Sequence, residues 1–427
     1  MVLPPGDRGN FPRVSELQRH RLARYGIEGL NSFATVLYFN YLYFFMQARF
    51  GYDDRQNLAL AAWLGLVYAV TAWQAGKLAH RLGYFNTLKL GFGVMIAGLG
   101  MGAESSTAAG QITAASIISL GMCATWPTLE AMVSEDETPA LVPRAVGIYN
   151  IVWAVTYAVA FFVGGKIIEQ FGFRAMFLLP AALLVLEVAL TIWLQRRPLL
   201  APGGGSLADT VTALPEDLNR PTPARARAFL RMAWLSNPFA YIAINTLVAV
   251  LPGVAAKLRL DTGLAGVVCS LWCFARLAAF IFLWRYTAWH YRFRWLLLSF
   301  TLLILSFVAM LVVPSLWVIL PAQLCFGAAT GLIYYSSLFY SMETSGAKSE
   351  HGGIHEAAIG LGNCAGPAVG ALSLQFAARS PASGALGVAG LLTLGLAGLI
   401  WIQVTSRTRN RSGIKKVRAA RRGIMRS

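Results

Sequence analysis

Long apolar runs separated by short polar segments recur along almost the whole chain. A helix needs about 20 apolar residues to cross a hydrocarbon core of about 30 Å. Twelve runs of suitable length begin near residues 28, 58, 87, 110, 145, 174, 232, 262, 294, 316, 354 and 384. The pattern therefore predicts an all-α, polytopic membrane protein with twelve transmembrane helices.

One stretch of this pattern occurs twice. Residues 121–165 align without a gap with residues 327–371, at an offset of 206 residues, and seven positions are identical. Each copy contains an apolar span, a short polar loop with an acidic residue, and a glycine-rich apolar span. Half-chain repeats of this kind are common in secondary transporters, in which the solute site lies between the halves. The repeat predicts two pseudo-symmetric six-helix bundles.

A polar insert rich in proline and glycine separates the sixth span from the seventh, and its composition is typical of a flexible linker. A segment ahead of the first span, from Val14 to Tyr25, is a candidate for a short interfacial helix. The predicted division of the chain is an N-terminal cytoplasmic tail, a first bundle, a cytoplasmic linker, a second bundle and a basic cytoplasmic tail, at residues 1–27, 28–195, 196–231, 232–404 and 405–427.

Composition agrees with a membrane protein, since 56% of residues are hydrophobic and 13% are charged, with a mean hydropathy of +0.56. The net charge of +17 reflects topology, because 28 of the 36 basic residues fall on the side of the two termini. Such a bias places both termini in the cytoplasm. The nine cations of the C-terminal tail either attract anionic lipid or only fix topology. Aromatic stacking residues are missing there, which argues against nucleic acid as a partner.

The loop after the second span carries a recognisable signature. Its sequence from Gly76 to Gly83 is GKLAHRLG. This resembles the loop signature of the major facilitator superfamily, with Gly76, Arg81 and Gly83 in register and His80 in place of an aspartate. The fifth span keeps only the final glycine pair, Gly164-Gly165, of a second signature of that family. With twelve spans and a central linker, the chain is identified as a member of that superfamily.

The resemblance implies a transporter in a plasma (inner) membrane that moves a solute by alternating access. In that family spans 1, 4, 7 and 10 line the cavity, with spans 2, 5, 8 and 11 beside them. Amide and aromatic side chains in these spans suit a neutral or singly charged polar solute. The predicted substrate-binding residues are Arg276, Asn40, Tyr38, Trp126, Asn150, Tyr157, Tyr241, Asn245, Tyr334, Tyr335 and Asn363.

A second set of residues is predicted to act in gating or coupling: Gly76, His80, Arg81, Gly83, Glu130 and Glu356. Glu130 is expected to reach the loop that holds Arg81 and to form a latch in one conformation. Glu356 is expected to face His80, and because histidine titrates near pH 6.5 this pair is a candidate pH-sensitive gate. A neutral loop histidine is the alternative.

Two ionisable residues lie within predicted spans, where charge is costly. Arg276 in span eight is either an anion-binding group in the cavity or a cation satisfied at a packing face. Glu187 in span six is a functional acid or a protonated or snorkelling residue at the periphery. No metal site is predicted, because Gly352-Gly353 interrupts the helical spacing of His351 and His355.

Phosphate-binding and hydrolase motifs are missing from the sequence, so neither an enzyme nor a cofactor is predicted. The predicted function is secondary active transport of a small polar solute, of the sugar or organic-anion class, with protons as a candidate coupling ion. Efflux of amphipathic drugs is one alternative. The other is a non-transporting membrane sensor or assembly protein, which the altered loop signature favours. The expected partners are therefore a small solute, the lipid bilayer and protons.

Overall fold

The computed structural model describes residues 14–134, 142–197, 222–344, 350–377 and 379–424, and the side chains of His80 and Glu356 lie outside the described set. In this part of the chain thirteen helices follow one another: α1 (Val14–Phe50), α2 (Asp54–Leu82), α3 (Tyr84–Glu104), α4 (Ala108–Ser134), α5 (Val142–Phe171), α6 (Ala175–Arg196), α7 (Pro223–Lys257), α8 (Thr262–Cys269), α9 (Leu271–Arg285), α10 (Phe293–Val312), α11 (Leu316–Thr344), α12 (Glu350–Phe376) and α13 (Ser383–Ile424).

Eight segments of the described residues are long and apolar enough to cross a membrane, and α8 and α9 together count as one of them. The remaining helices α1, α2, α3 and α12 pack lengthwise against these spans. The first bundle consists of α1–α6 and the second of α7–α13. The predicted all-α membrane fold, with twelve transmembrane helices in two six-helix bundles, is confirmed.

Consecutive spans run in opposite directions, so their connections alternate between two faces. We call the face that holds the start of α1 and the end of α13 the terminal face, and the opposite one the distal face. The α2–α3 and α9–α10 connections lie on the terminal face, whereas the α1–α2 and α7–α8 connections lie on the distal face.

Local sequence fixes several of the turns. Asp53 caps α2 by accepting a hydrogen bond from the Gln56 amide at 2.8 Å, and the Gln56 side chain accepts one from the Asp53 amide at 3.0 Å. Such a reciprocal box satisfies two of the donors left free at a helix start. Gly83 joins α2 directly to α3 with a φ of 74°. Only glycine adopts this conformation readily, so Gly83 has a structural reason to be in the loop signature.

Three helices extend further than the predicted spans. The segment from Val14 to Tyr25 is not a separate interfacial helix, because α1 runs without a break from Val14 to Phe50. At the other bundle, α7 begins at Pro223, inside the segment predicted as a linker, and α13 continues to Ile424. Polar and basic residues hide these ends from a search for apolar runs, although they are compatible with a helix outside the bilayer core.

A break divides the eighth span at Ser270, between α8 and α9. The buried side chain of Gln323 on α11 spans this break. Its amide donates to the Val268 carbonyl oxygen at 2.8 Å, and its oxygen accepts from the Trp272 amide at 3.3 Å. Irregular backbone at membrane depth requires such internal partners. The break thereby fixes the rotation of α9, whose residues face the centre of the molecule.

The bundles meet along two seams, α2 with α12 and α5 with α8 and α9. Glycine allows very close approach in both. A Cβ at Gly65 would overlap the main chain of Asn363 and Cys364, and one at Gly165 would overlap the Thr262 carbonyl oxygen. Since α2 corresponds to α8 and α5 to α12 in the repeat, the two seams are pseudo-symmetric. Close packing of small residues is a principal source of attraction between helices in lipid.

Polar contacts hold the bundles together on the distal face. The Asp54 carboxylate at the start of α2 lies 3.9 Å from Lys257 Nζ at the end of α7. Beside it, Arg55 donates a hydrogen bond to the Gln375 side chain on α12. Gly253 makes room for this arrangement, because a Cβ there would overlap the Asp54 carboxylate. The distal end of the interface is therefore closed by specific contacts as well as by packing.

We expect Gly65→Leu to weaken the α2–α12 seam. The new side chain cannot fit against the backbone of Asn363, and overpacking of this kind costs about 1–3 kcal/mol. At about 2–4 °C per kcal/mol, this corresponds to a thermal midpoint lower by about 5 °C for the purified protein in detergent.

The matched control is Gly93→Leu. Gly93 is exposed on α3, and a Cβ there has no atom within 4 Å in the described structure. Equal losses of thermal stability in the two variants would contradict the assignment of Gly65 to a tight helix contact.

Candidate functional site

A cavity of about 210 Å³ lies between the two bundles. Helices α1, α2, α4 and α5 line it from one side, and α7, α9, α11 and α12 line it from the other. The polar and aromatic side chains of the lining are Thr35, Phe39, Asn40, Tyr43, Tyr68, Ser119, Trp126, Glu130, Tyr149, Trp153, Tyr157, Tyr241, Asn245, Arg276, Tyr334 and Asn363. Both halves of the repeat thus contribute to a single chamber at their interface.

Arg276 is the cation of this chamber, and it is 3% exposed. The carbon atom of its guanidinium lies 4.6 Å from the ring centre of Trp153, 5.1 Å from that of Tyr157 and 5.0 Å from that of Trp272. Aromatic faces attract cations at such distances. Two of these rings belong to α5 in the first bundle, so the cation of one bundle rests on the rings of the other.

Helix α11 fixes the backbone of Arg276 from behind. A Cβ at Gly327 would overlap the Trp272 carbonyl oxygen and lie 2.9 Å from the Arg276 nitrogen, while one at Gly331 would lie 3.2 Å from the Arg276 oxygen. The two glycines let α11 and α9 touch backbone to backbone. Consequently the long side chain of Arg276 starts from a fixed point and extends towards α5.

Two polar pairs face the cavity in equivalent positions of the repeat. The Tyr157 hydroxyl on α5 donates to Asn40 Oδ1 on α1 at 3.4 Å, and Asn245 Nδ2 on α7 donates to Asn363 Oδ1 on α12 at 2.5 Å. Tyr157 and Asn363 are separated by 206 residues, which is the offset of the sequence repeat. The internal symmetry that the sequence predicts therefore reappears in the polar groups of the chamber.

Eight of the eleven residues predicted to bind substrate come together in the lining: Arg276, Asn40, Trp126, Tyr157, Tyr241, Asn245, Tyr334 and Asn363. The other three lie elsewhere. Tyr38 points into the first bundle and makes edge contacts with Phe39 and Phe177. Its neighbour one residue along, Phe39, faces the chamber instead, because adjacent residues of a helix project about 100° apart.

Asn150 and Tyr335 also differ from the prediction. Asn150 is buried, donates to the Val146 carbonyl oxygen at 2.9 Å and accepts from Trp153 Nε1 at 2.8 Å. It therefore orients Trp153, one of the rings around Arg276, without lining the chamber. Tyr335 packs against Phe280 and Trp289 inside the second bundle, beside the lining residue Tyr334. We leave Tyr38, Asn150 and Tyr335 out of the candidate site.

The residues predicted for gating are only partly described. Glu130 lines the chamber on the half of α4 nearest the terminal face. Arg81 is exposed at the end of α2, next to the turn at Gly83. Gly76 lies within α2, but its surroundings are outside the described residues, as are the side chains of His80 and Glu356. The pairings of Glu130 with Arg81 and of His80 with Glu356 therefore stay predictions.

Trp153, Tyr157 and Trp272 form an aromatic cage around Arg276. The sequence analysis predicts Tyr157 and Arg276 as substrate-binding residues but not Trp153 or Trp272. A signal for them is present. Trp153 and Tyr157 are four residues apart, as are Trp272 and Arg276, so each pair occupies one helix face. Recognising that the two faces meet requires the tertiary contact of α5 with α9, which spacing alone does not supply.

A further acidic residue was missed in the first bundle. Glu28 on α1 and Glu187 on α6 are both fully buried and close enough for their charges to interact. Glu187 therefore faces the bundle interior, which excludes the snorkelling alternative and leaves a functional acid or a protonated residue. Glu28 was hidden because it stood at the predicted edge of the first span, whereas α1 begins fourteen residues earlier.

Solved structures of several transporters share this architecture. The structure of the human organic anion transporter MFSD10 (TETRAN) superposes with a TM-score of 0.62 at 15% identity, covering 90% of this chain and 99% of that one. The nucleoside transporter NupG gives a TM-score of 0.65 at 15% identity, with 90% and 98% covered. A bacterial homologue of the human lysosomal transporter Spinster, in an inward-facing and unoccupied conformation, gives 0.64 at 13% identity, with 93% and 98% covered.

Identities this low show a shared fold and leave activity open. No curated protein is significantly similar to the chain in sequence. The family model for the Major Facilitator Superfamily, however, matches residues 26–352, which is more than half of the chain. The chain therefore belongs to the Major Facilitator Superfamily.

Proposed function

We propose that this protein is a secondary active transporter that moves a small polar solute, of the organic-anion or sugar class, by alternating access. One observation carries the proposal: the guanidinium of Arg276 stands in the wall of the interface chamber, held by rings from both bundles. An organic anion is the solute class that this cation favours.

The cage suits reversible binding of an anion. Each cation–π contact contributes about 0.5–2 kcal/mol, which keeps the guanidinium in place between transport events without saturating its donors. Arg276 Nε is buried and has no hydrogen-bond partner among the described residues. A carboxylate, sulfonate or phosphate group offers the paired oxygen acceptors that match a guanidinium. We infer that the acidic group of the solute binds at Arg276.

The amide groups supply recognition of the remaining polar atoms. Asn40 Nδ2 is a buried donor with no hydrogen-bond partner among the described residues, and it lies beside the Tyr157 hydroxyl. Asn245 and Asn363 offer equivalent groups from the second bundle. A solute that reaches both pairs contacts both bundles at once, so its binding free energy depends on how the bundles are arranged. Such differential binding is what allows a ligand to shift a conformational equilibrium.

Efflux of an amphipathic compound is a second candidate, and the apolar part of the lining favours it: Val36, Phe39, Leu64, Met122, Ile244 and Val248. The chamber size weighs against it in this conformation. A volume of about 210 Å³ is below the range of about 300–1,000 Å³ that is usual for drug-sized ligands. A compact anion with a small apolar body satisfies both the charge and the volume.

We include proton coupling and the orientation of the protein in the membrane in the same proposal. Glu130 is the carboxyl group that we assign to proton exchange, because it lines the chamber on the side of the terminal face. The excess of basic residues on that face supports a cytoplasmic location for both termini in a plasma (inner) membrane.

We expect Arg276→Gln to lower the affinity for the transported anion by about 10–100-fold, because a hydrogen bond to a charged group contributes about 1.5–3 kcal/mol. Arg276→Lys keeps the charge and loses the planar fork, so its affinity for the anion should lie between those of the parent protein and Arg276→Gln. The measurement is ligand-induced thermal stabilisation across sugars, organic acids, nucleosides and cationic drugs, followed by uptake of each hit into proteoliposomes.

Arg285→Gln is the matched control, since Arg285 ends the same helix, is exposed and lies over Trp284 at 5.9 Å. Its ligand affinity should equal that of the unmodified protein. An anion that stabilises Arg276→Gln as well as the parent protein would contradict the assignment. Stabilisation by cationic drugs alone, unaffected in Arg276→Gln, would favour the efflux alternative, and binding without net uptake would favour a sensor.

Acidification is expected to favour closure of the distal face. Burial raises the pKa of the Asp54 carboxyl, an effect larger than the opposing attraction of Lys257, and the neighbouring Asp53 raises that pKa further. Separation of the distal ends would hydrate Asp54 and return its pKa towards the ordinary value. A state in which a group has the higher pKa binds the proton more tightly, so it gains population as the pH falls.

The measurement is the distance between spin labels at Ser106 and Ser380, which are exposed on the distal face of different bundles. Lowering the pH from about 8 to about 5 should raise the closed fraction a few-fold, and Asp54→Asn should abolish this change. Asp53→Asn is the control: asparagine caps a helix as well as aspartate does. It removes only the smallest of the three effects on the Asp54 pKa, so most of the pH response should remain. An unchanged pH response in Asp54→Asn would contradict the assignment of the pH-dependent closure to Asp54.

A further inference from the structure

A second crevice opens on the terminal face of the second bundle, at a distance from the solute chamber. It has a volume of about 690 Å³ and is bounded by α7, by the α9–α10 loop with the start of α10, and by α13. Three arginines and three aromatic residues dominate its lining: Arg225, Arg292, Arg294, Phe229, Tyr291 and Phe293. We propose that this crevice binds the phosphate group of an anionic phospholipid from the surrounding membrane.

The lining segments contain cations without counter-charges of their own. Residues 222–257, 286–312 and 383–427 include no aspartate or glutamate. Arg225, Arg292 and Arg294 are all exposed, so their charges are available to a ligand. The positive potential of the crevice is therefore not neutralised by the helices that form it. Each basic residue near a membrane surface contributes about 1 kcal/mol of attraction to anionic lipid.

One wall of the crevice is preformed. Arg225 donates from Nη2 to the Tyr291 carbonyl oxygen at 2.8 Å, and the Tyr291 amide donates to the Tyr340 hydroxyl at 2.9 Å. Tyr291 has a φ of 55°, which the ring contacts with Phe229 and Tyr340 hold in place. A guanidinium has five N–H donors, and one contact to a carbonyl orients the remaining donors. This contact positions Arg225 and leaves its other N–H donors for a phosphate oxygen.

The surface next to the crevice is suited to acyl chains. Towards the distal face, α10 exposes Leu298 (51%) and α13 exposes Trp401 (68%) and Val404 (56%). These side chains lie within two helical turns of Arg294 and Ser406, which line the crevice. Cations at the edge of an apolar helix surface match the arrangement of a phospholipid, with a charged headgroup above hydrocarbon. A free anion would use the arginines but not this apolar surface.

The deciding experiment is native mass spectrometry of the purified full chain with added lipids. The protein should retain phosphatidylglycerol in preference to phosphatidylcholine, and the triple variant Arg225→Gln/Arg292→Gln/Arg294→Gln should retain at least fivefold less phosphatidylglycerol. The corresponding triple lysine variant keeps the charge and should stay within about twofold of the parent. It also shows that the loss does not come from misfolding of the crevice.

The control removes the same charge from the same face of the other bundle, through Arg144→Gln/Arg196→Gln/Arg197→Gln. These arginines are exposed and outside both cavities. An equal loss in this control would overturn the proposal, since it would show attraction to net charge alone. Equal retention of phosphatidylcholine would overturn it as well. Displacement of the lipid by millimolar inorganic phosphate, with phosphate retained in its place, would assign the crevice to a free anion instead of a lipid.

Discussion

Placing a guanidinium inside a membrane-spanning bundle costs free energy, and the aromatic rings around Arg276 offset that cost. Charged residues at the centre of a transmembrane helix are disfavoured by at least about 2.5–3.5 kcal/mol. Three ring faces at 4.6–5.1 Å can together supply a comparable free energy. The rings must be held in place for this to work, and Asn150 does so for Trp153 through its hydrogen bond at 2.8 Å.

The cage also constrains the interface as a whole. Because Trp153 and Tyr157 belong to α5 and Arg276 to α9, two of the three ring contacts exist only while α5 and α9 stay together. The glycine contact of Gly165 with Thr262 holds α5 against α8, the other half of the same span, nearer the distal face. Relative motion of the bundles is therefore expected to pivot about the seams and to open at the ends. The polar contacts that separate in such a motion are those of Asp54 and Arg55.

The sequence could predict the architecture because its signals are local or periodic. Apolar runs of sufficient length predict the spans, and the 206-residue offset predicts the repeat that pairs Tyr157 with Asn363. The sequence does not show which of the neighbours Tyr38 and Phe39 lines the chamber, because span boundaries do not fix the rotation of a helix about its axis. The buried pair of Glu28 and Glu187, and the crevice at Arg225, depend on which helices pack together. These are tertiary contacts between helices, and residue spacing within one helix does not reveal them.

On the proposed function, the charges of the chamber would connect solute binding with proton binding. Among the lining residues that the structure describes, Arg276 is the cation and Glu130 is the acid. In that proposal, the charged form of Glu130 repels an anion that enters from the terminal face, and a proton on this carboxyl removes the repulsion. In a chamber of low dielectric, like charges interact over longer distances than they do in water. Occupancy by the proposed anion and by a proton would then favour each other, and by linkage each would raise the affinity for the other to the same extent. The same two residues would then explain both the preference for an anion and its coupling to protons.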